Sequence, residues 1–484
     1  MRQEQLPEAQ NKERVERLGT AKISKLVLEF AIPSIIGLIV NGLYNIIDSI
    51  FMGHGVGNIG QATATIALPI MIIGMAISIL IGQGGNALTA LRLGAGKHDE
   101  AERVIGNTFI LMIVAAIICT GTVILLMDPI LTISGATKAT WEYARTFISI
   151  IAGGFIFQFI GMGFNNFIRT AGEPNRALYT MITGTVICVI LNYLFVIVLH
   201  WGVAGSALAT VAGQSVSAGL VLWYFIFSKK APFKIRKECL GLKGRLVKSI
   251  LALGSAPFVL QIANAFVTFF LNNQITTLGA ISSIGSDAAL AALGVVNRVA
   301  LFVFFPILGV ALAVQPLFGY NYGAKKYSRV KKTFILAMIW ATALGLFAWA
   351  VIYLLPEPIV RLFNITGDLL EFTVNALKVQ LFLIPLAGLH VVSTNYFQAS
   401  GQPLKAMFLS LTRSVLFLIP LLYLFPMIIT SFLPGLEALD GLYYAYPASD
   451  TLAILTCAIF MLFELRKLNK AIKEQKTYTT ATKR

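Results

Sequence analysis

Asp48 lies in the stretch "NGLYNIIDSIFMG", residues 41–53, near the end of an apolar run long enough to cross a bilayer. No Asp, Glu, Lys or Arg stands between Glu29 and Asp48, or between Asp48 and Arg92. An aspartate at the centre of a membrane helix costs roughly 2.5–3.5 kcal/mol on insertion scales. The chemistry such a group offers is proton carriage, because a carboxyl withdrawn from water resists ionising. Asn41, Tyr44 and Asn45 precede it by seven, four and three residues and share its helical face, which should therefore point away from lipid. The competing reading is a hydrated aspartate at the outer interface, since the span ends near Met52.

Other polar side chains in apolar runs are candidates to contact a transported molecule. They are Gln158 and Asn165 in the first half, and Gln261, Asn264, Asn272 and Asn273 in the second. For the last four, hydrogen bonding between helices is the alternative. Arg298 and Arg413 either snorkel to an interface or pair with polar neighbours. His54, His98, His200 and His390 read as interfacial. "GVGNIG" (55–60) fits a dinucleotide fingerprint only literally, because a membrane helix precedes it and the stretch reads as a short outer loop. "IGQGGNAL" (81–88) reads as a close helix–helix contact built on small residues. No HExxH or GxSxG motif occurs, so catalysis is not indicated. The four cysteines show no metal or disulfide spacing, and no cofactor is expected.

The elements that hold these residues follow from composition. Of 484 residues, 57% are hydrophobic and 12% charged, and the mean hydropathy is +0.78. Continuous apolar runs predict an all-α integral membrane protein with about twelve transmembrane helices, two of them over 145–170 and 372–399. The net charge of +16 does not indicate nucleic acid, because the basic residues are confined between apolar runs. One set of loops and the two ends hold 32 of the 38 Lys and Arg, while the opposite loops hold Lys138, Arg145 and Arg361. Both ends are therefore expected in the cytoplasm. The polar, charged residues 1–25 read as a cytoplasmic arm without a signal peptide.

The chain repeats itself. "GAGKHDEAERV" at Gly94 returns as "GAKKYSRVKKT" at Gly323, and "NFIRTAGEPNRA" at Asn166 returns as "NYFQASGQPLKA" at Asn395, each 229 residues later. Two pseudo-symmetric six-helix lobes follow, 26–228 and 249–465. A basic linker, 229–248, joins them, and 466–484 forms a cytoplasmic tail. Six spans per repeat relate the lobes by an axis along the membrane normal.

The repeated loops, with "GVAGSALATVAGQ" (202–214) and "QPLFGYNYGAKK" (315–326), resemble the MATE multidrug exporters, in particular the DinF and MepA-like branch. The resemblance implies a central cavity between two lobes and export driven by inward H⁺ or Na⁺. It implies rocker-switch alternating access and drugs that are amphipathic, mostly cationic molecules. It also implies an essential aspartate in the first helix, which Asp48 matches. "CVILNYLF" (188–195) stands where the family carries NIILDPLF, so Cys188 replaces its Asn and Asn192 its Asp. Thr210 matches a threonine lining the same pocket. Asp48, Asn192, Thr210 and Cys188 are thus the candidate ion-coupling set, with a Na⁺ site at Asp48, Asn192 and Thr210 as the alternative to a proton. The expected setting is the inner (plasma) membrane and the expected state a monomer. A lipid-linked-sugar flippase or a dedicated metabolite exporter of the same fold is the rival function.

The loop charges predict that a cysteine introduced near Lys237 in intact cells resists a membrane-impermeant maleimide. Labelling at the rate of an outer-loop cysteine would reverse the orientation.

Overall fold

The computed structural model describes residues 13–228, 231–432 and 435–481, and among them there are helices and no strand. Among the described residues, ten helices are long and apolar enough to cross a membrane, and the number is twelve if each of two bent pairs is counted as one span. The bent pairs are Trp141–Gly153 with Phe155–Thr170, at 48°, and Leu369–Gln380 with Ile384–Ala399, at 47°. They occupy the segments 145–170 and 372–399 that the hydropathy predicts as continuous spans.

The repeat is visible in the backbone. His98, Met127 and Pro174 begin helices, and Tyr327, Pro356 and Pro403, each 229 residues on, begin theirs. Proline suits this position because its fixed φ is helical and it lacks an N–H that would be orphaned there. Left-handed backbone recurs with the same spacing. Gly96, Gly135 and Gly172 have φ of 74°, 80° and 85°, and Lys325, Asn364 and Gly401 have 55°, 61° and 81°. The second half thus keeps two of the three turns without glycine, Asn364 being one of the few side chains that tolerate this region.

"GVGNIG" is not a loop. A single residue, Gly57 at φ 71°, separates helix α1 (Ile23–Val56) from α2 (Asn58–Gly94). α2 carries "IGQGGNAL", and its small residues do allow close contact. A Cβ on Gly82 would lie 2.6 Å from the Cα of Gly163, and one on Gly84 2.0 Å from the carbonyl oxygen of Ile250.

The chain forms two compact units. Unit 1 runs to Phe258 and takes in Gln315–Lys326 and Gln398–Pro403. Its core is rich in fully buried phenylalanines, with Phe164 stacked on Phe167 at 4.8 Å and Phe225 on Phe233 at 5.8 Å. Within it, α2 meets the end of α3 (Ser286–Gly323) through equivalent residues of the two repeats. A Cβ on Gly94 would lie 1.9 Å from the carbonyl oxygen of Tyr320, and a Cβ on Gly323 2.1 Å from that of Leu91. Leu91 and Tyr320 are themselves equivalents, so this is one contact made twice about a local pseudo-twofold.

Unit 2 comprises Val259–Val314, Tyr327–Phe397 and the chain from Leu404 onward. Two of its acids, Asp450 and Glu464, are buried. Asp450 lies ten residues into helix Asp440–Ala481, is 7% exposed, and binds Arg413 Nε at 2.6 Å. The Arg413 guanidinium also lies 4.6 Å from the Phe304 ring centroid. Arg413 therefore pairs, whereas Arg298 is exposed. His390 is not interfacial either: it is buried, with Nε2 2.8 Å from the Leu409 carbonyl oxygen. Glu464 is 2% exposed and accepts a hydrogen bond from the Tyr396 hydroxyl at 3.1 Å. Burying a charge demands such a partner.

Overpacking at the twofold contact predicts that Gly94→Ala and Gly323→Ala each destabilise the protein by about 1–3 kcal/mol, read as a lower thermal midpoint in detergent. Gly121 has nothing within 4 Å of a Cβ, so Gly121→Ala should be neutral or stabilising by up to about 1 kcal/mol. Equal effects at all three positions would contradict the contact.

Candidate functional site

Three helices of unit 1 build the surroundings of Asp48. α1 supplies the carboxylate, Pro174–Asn192 supplies Cys188 and Asn192, and Gly202–Ile226 supplies Ser206 and Thr210. Each of the last two pairs is spaced by four residues, one helical turn, and so presents both side chains to one side. The two helices approach closely because their facing residues are small. A Cβ on Gly213 would lie 2.6 Å from that of Cys188, and a Cβ on Gly184 2.9 Å from the carbonyl oxygen of Gly213. Directly after Asn192 the helix widens into a π-helical segment, Tyr193–Val198, a departure that often marks functional sites.

Asp48 Oδ1 accepts two hydrogen bonds, from Asn192 Nδ2 at 2.9 Å and from Ser206 Oγ at 3.0 Å. Asn192 Nδ2 also lies 3.8 Å from Cys188 Sγ, and Cys188 Sγ lies 4.0 Å from Thr210 Oγ1. Asp48 is half-buried, while Cys188, Asn192, Ser206 and Thr210 are all buried. No cation pairs with Asp48 among the described residues. Its charge is met by neutral donors alone. The Oδ1 of Asn192 is buried and accepts no hydrogen bond among the described residues.

The four candidate coupling residues thus share one cluster. Ser206 belongs with them; the only signal for it in the sequence is its place one turn before Thr210 in "GVAGSALATVAGQ". Of the candidates for substrate contact, Asn41 is exposed on α1 and Gln158 is half-buried just past the bend of its span. The side chains of Tyr44 and Asn45 lie outside the described residues. Asn165 is buried, and its Nδ2 donates to the Ala177 carbonyl and to Thr180 Oγ1, both at 2.8 Å. Gln261, Asn264, Asn272 and Asn273 belong to unit 2; Gln261 is half-buried and the other three are exposed.

Oxygen atoms dominate the cluster: a carboxylate, two hydroxyls and an amide. Such a set can hold a proton on Asp48, or it can offer Asp48, Asn192 and Thr210 to a hard monovalent cation.

Residues 33–194 and 260–424 match the MatE family model. The multidrug export protein MepA of Staphylococcus haemolyticus (strain JCSC1435) is 23% identical over 448 residues, 92% of this chain and 94% of that one. The probable multidrug resistance protein YoeA of Bacillus subtilis (strain 168) is 24% identical over 450 residues, 90% of this chain and 93% of that one. Among solved structures, an outward-facing multidrug resistance MATE family transporter of the MOP superfamily superposes with a TM-score of 0.86. It shares 22% identity, and the match covers 94% of this chain and 98% of that one.

A hydrogen bond to a charged acceptor contributes about 1.5–3 kcal/mol. Ser206→Ala should therefore lower stability by about that amount in the parent and by much less in an Asp48→Asn background. Thr210→Ala should have the same effect in both backgrounds. The double-mutant cycle is read from unfolding in detergent; a Ser206→Ala effect independent of Asp48 would contradict the bond.

Proposed function

The chain belongs to the MatE family of membrane transporters, and from that premise we propose that it is an antiporter exporting amphipathic, mostly cationic drugs in exchange for H⁺. The observation that carries this reading is the Asp48 carboxylate, held by the neutral donors Asn192 and Ser206 inside an apolar bundle. The names of the relatives, a multidrug export protein and a probable multidrug resistance protein, support the export of drugs.

Asp48 alternates between carboxylate and acid. As a carboxylate it accepts from the Asn192 amide and the Ser206 hydroxyl. As an acid it becomes a donor and needs an acceptor. Turning the Asn192 side-chain amide over presents its Oδ1, which accepts no bond among the described residues, in place of Nδ2. Asn192 and Ser206 can therefore satisfy both protonation states, since an amide and a hydroxyl each donate and accept. An aspartate at position 192 could not do so without taking up the proton itself.

The cycle we assign is rocker-switch alternating access, in which two lobes, 26–228 and 249–465, related by an axis along the membrane normal, rock one against the other. Protonation of Asp48 from outside releases the drug outward. Deprotonation to the cytoplasm readies the site for the next cation. Asn41, Tyr44, Asn45, Gln158 and Asn165 are the assigned substrate contacts in the first lobe. One proton inward for one monovalent cation outward is electroneutral, so the pH gradient drives the exchange and the voltage does not. Na⁺ on Asp48, Asn192 and Thr210 is the alternative coupling ion. The assigned setting is the plasma membrane, with both ends cytoplasmic and the monomer as the working unit.

Purified protein in liposomes tests this reading with ethidium as the cargo. An imposed pH gradient should drive ethidium transport, a Na⁺ gradient at constant pH should not, and Asp48→Asn should reduce transport to the protein-free level. Na⁺-driven transport at equal rate would transfer the coupling to Na⁺. In a pump-deficient host, the parent should raise resistance to several unrelated organic cations. Failure with every cation would favour a dedicated metabolite exporter or a flippase.

A further inference from the structure

The first helical turns of α1 face a groove of about 540 Å³ inside unit 1. Its lining includes the polar Arg17, Lys25 and Asn175 and an apolar wall of Leu28, Ile32 and Pro33. Arg17 comes from residues 13–20, a helical part of the N-terminal arm, and Asn175 from the start of helix Pro174–Asn192. The remaining lining residue, Glu29, is committed to Arg17 at 3.1 Å. Lys25 is exposed and has no ion-pair partner among the described residues.

The wall does not end with the groove. Leu28, Ile32 and Ile36 are 37%, 55% and 40% exposed and follow one another at four-residue spacing, so they form a continuous apolar track along α1 into the span. One turn beyond Asn175, Tyr179 is 66% exposed, and tyrosine with a free polar tip is enriched where a span meets the headgroups. A polar small molecule would leave the track bare. A molecule with a charged head and an apolar tail would cover both. The uncommitted Lys25 selects the sign of the head, because basic residues beside a span attract anionic headgroups.

The geometry points to a binding site for one anionic phospholipid, its phosphate at Lys25, beside the Arg17–Glu29 pair, and one acyl chain along Leu28, Ile32 and Ile36. The lipid would tie the arm to the first span. The arm is already anchored at its other side: Val15 and Leu18 are buried, Asn321 Nδ2 donates to the Leu18 carbonyl at 2.9 Å, and Lys326 Nζ donates to the Gly19 carbonyl at 2.9 Å. Arg14 pairs with Glu173, next to Asn175. The headgroup therefore lies where the arm, the first span and the turn before helix Pro174–Asn192 converge.

Native mass spectrometry of the full chain tests the site with phosphatidylglycerol and phosphatidylcholine of identical acyl chains. The parent should retain phosphatidylglycerol about fivefold more strongly, the preference expected from one juxtamembrane cation. Lys25→Glu should abolish the preference and Lys25→Ala should weaken it. Lys332→Glu, an equal charge change at an exposed position, should leave it intact. The thermal midpoint in phosphatidylglycerol bilayers should exceed that in phosphatidylcholine for the parent and not for Lys25→Glu. Equal retention of the two lipids by the parent would overturn the site. So would equal losses from Lys25→Glu and Lys332→Glu, which would reduce the effect to net charge.

Discussion

A carboxylate inside an apolar helix bundle must be supplied with donors, and the neighbourhood of Asp48 is organised around that demand. Two hydrogen bonds to one carboxylate oxygen come from helices that begin more than a hundred residues further on. They reach it only because Gly184 and Gly213 let those helices lie close. None of the donors is charged. An arginine or lysine in place of Asn192 would hold Asp48 permanently ionised. Neutral partners leave both protonation states available, which is what a carrier of protons requires.

The duplication supplies the frame. Helix starts, left-handed turns and the bends in two spans recur in both halves, so each repeat folds by the same local rules. The site does not recur. The position equivalent to Asp48 holds no acid. Unit 2 instead buries an Arg413–Asp450 pair beside His390. A shared backbone therefore carries different polar chemistry in its two copies, as expected when function resides in side chains set on a common fold.

Much of this was legible in the sequence, and the limits have a physical cause. Hydropathy marks the spans because each must be apolar over its whole length, and the repeated loop motifs give the offset directly. Asp48 stands out because no other charge is near it in the chain. Ser206 does not stand out, because a serine in an apolar helix is unremarkable until its rotation about the helix axis is known. The partner of Arg413 is not legible for the same reason: Arg413 and Asp450, 37 residues apart, meet through packing that no local pattern encodes. The bends near 48° were invisible because both flanks of each break are equally apolar. Local composition records what an element is. It does not record which face the element presents.

The central claim is that Asp48 exchanges a proton for the cargo. Proton release on binding measures it most directly. Ethidium is added to the purified protein in weakly buffered, Na⁺-free detergent solution while pH is followed. The account predicts release of about one proton per bound cation from the parent and none from Asp48→Asn. Equal release from both proteins, or binding by the parent with no release at all, would contradict it.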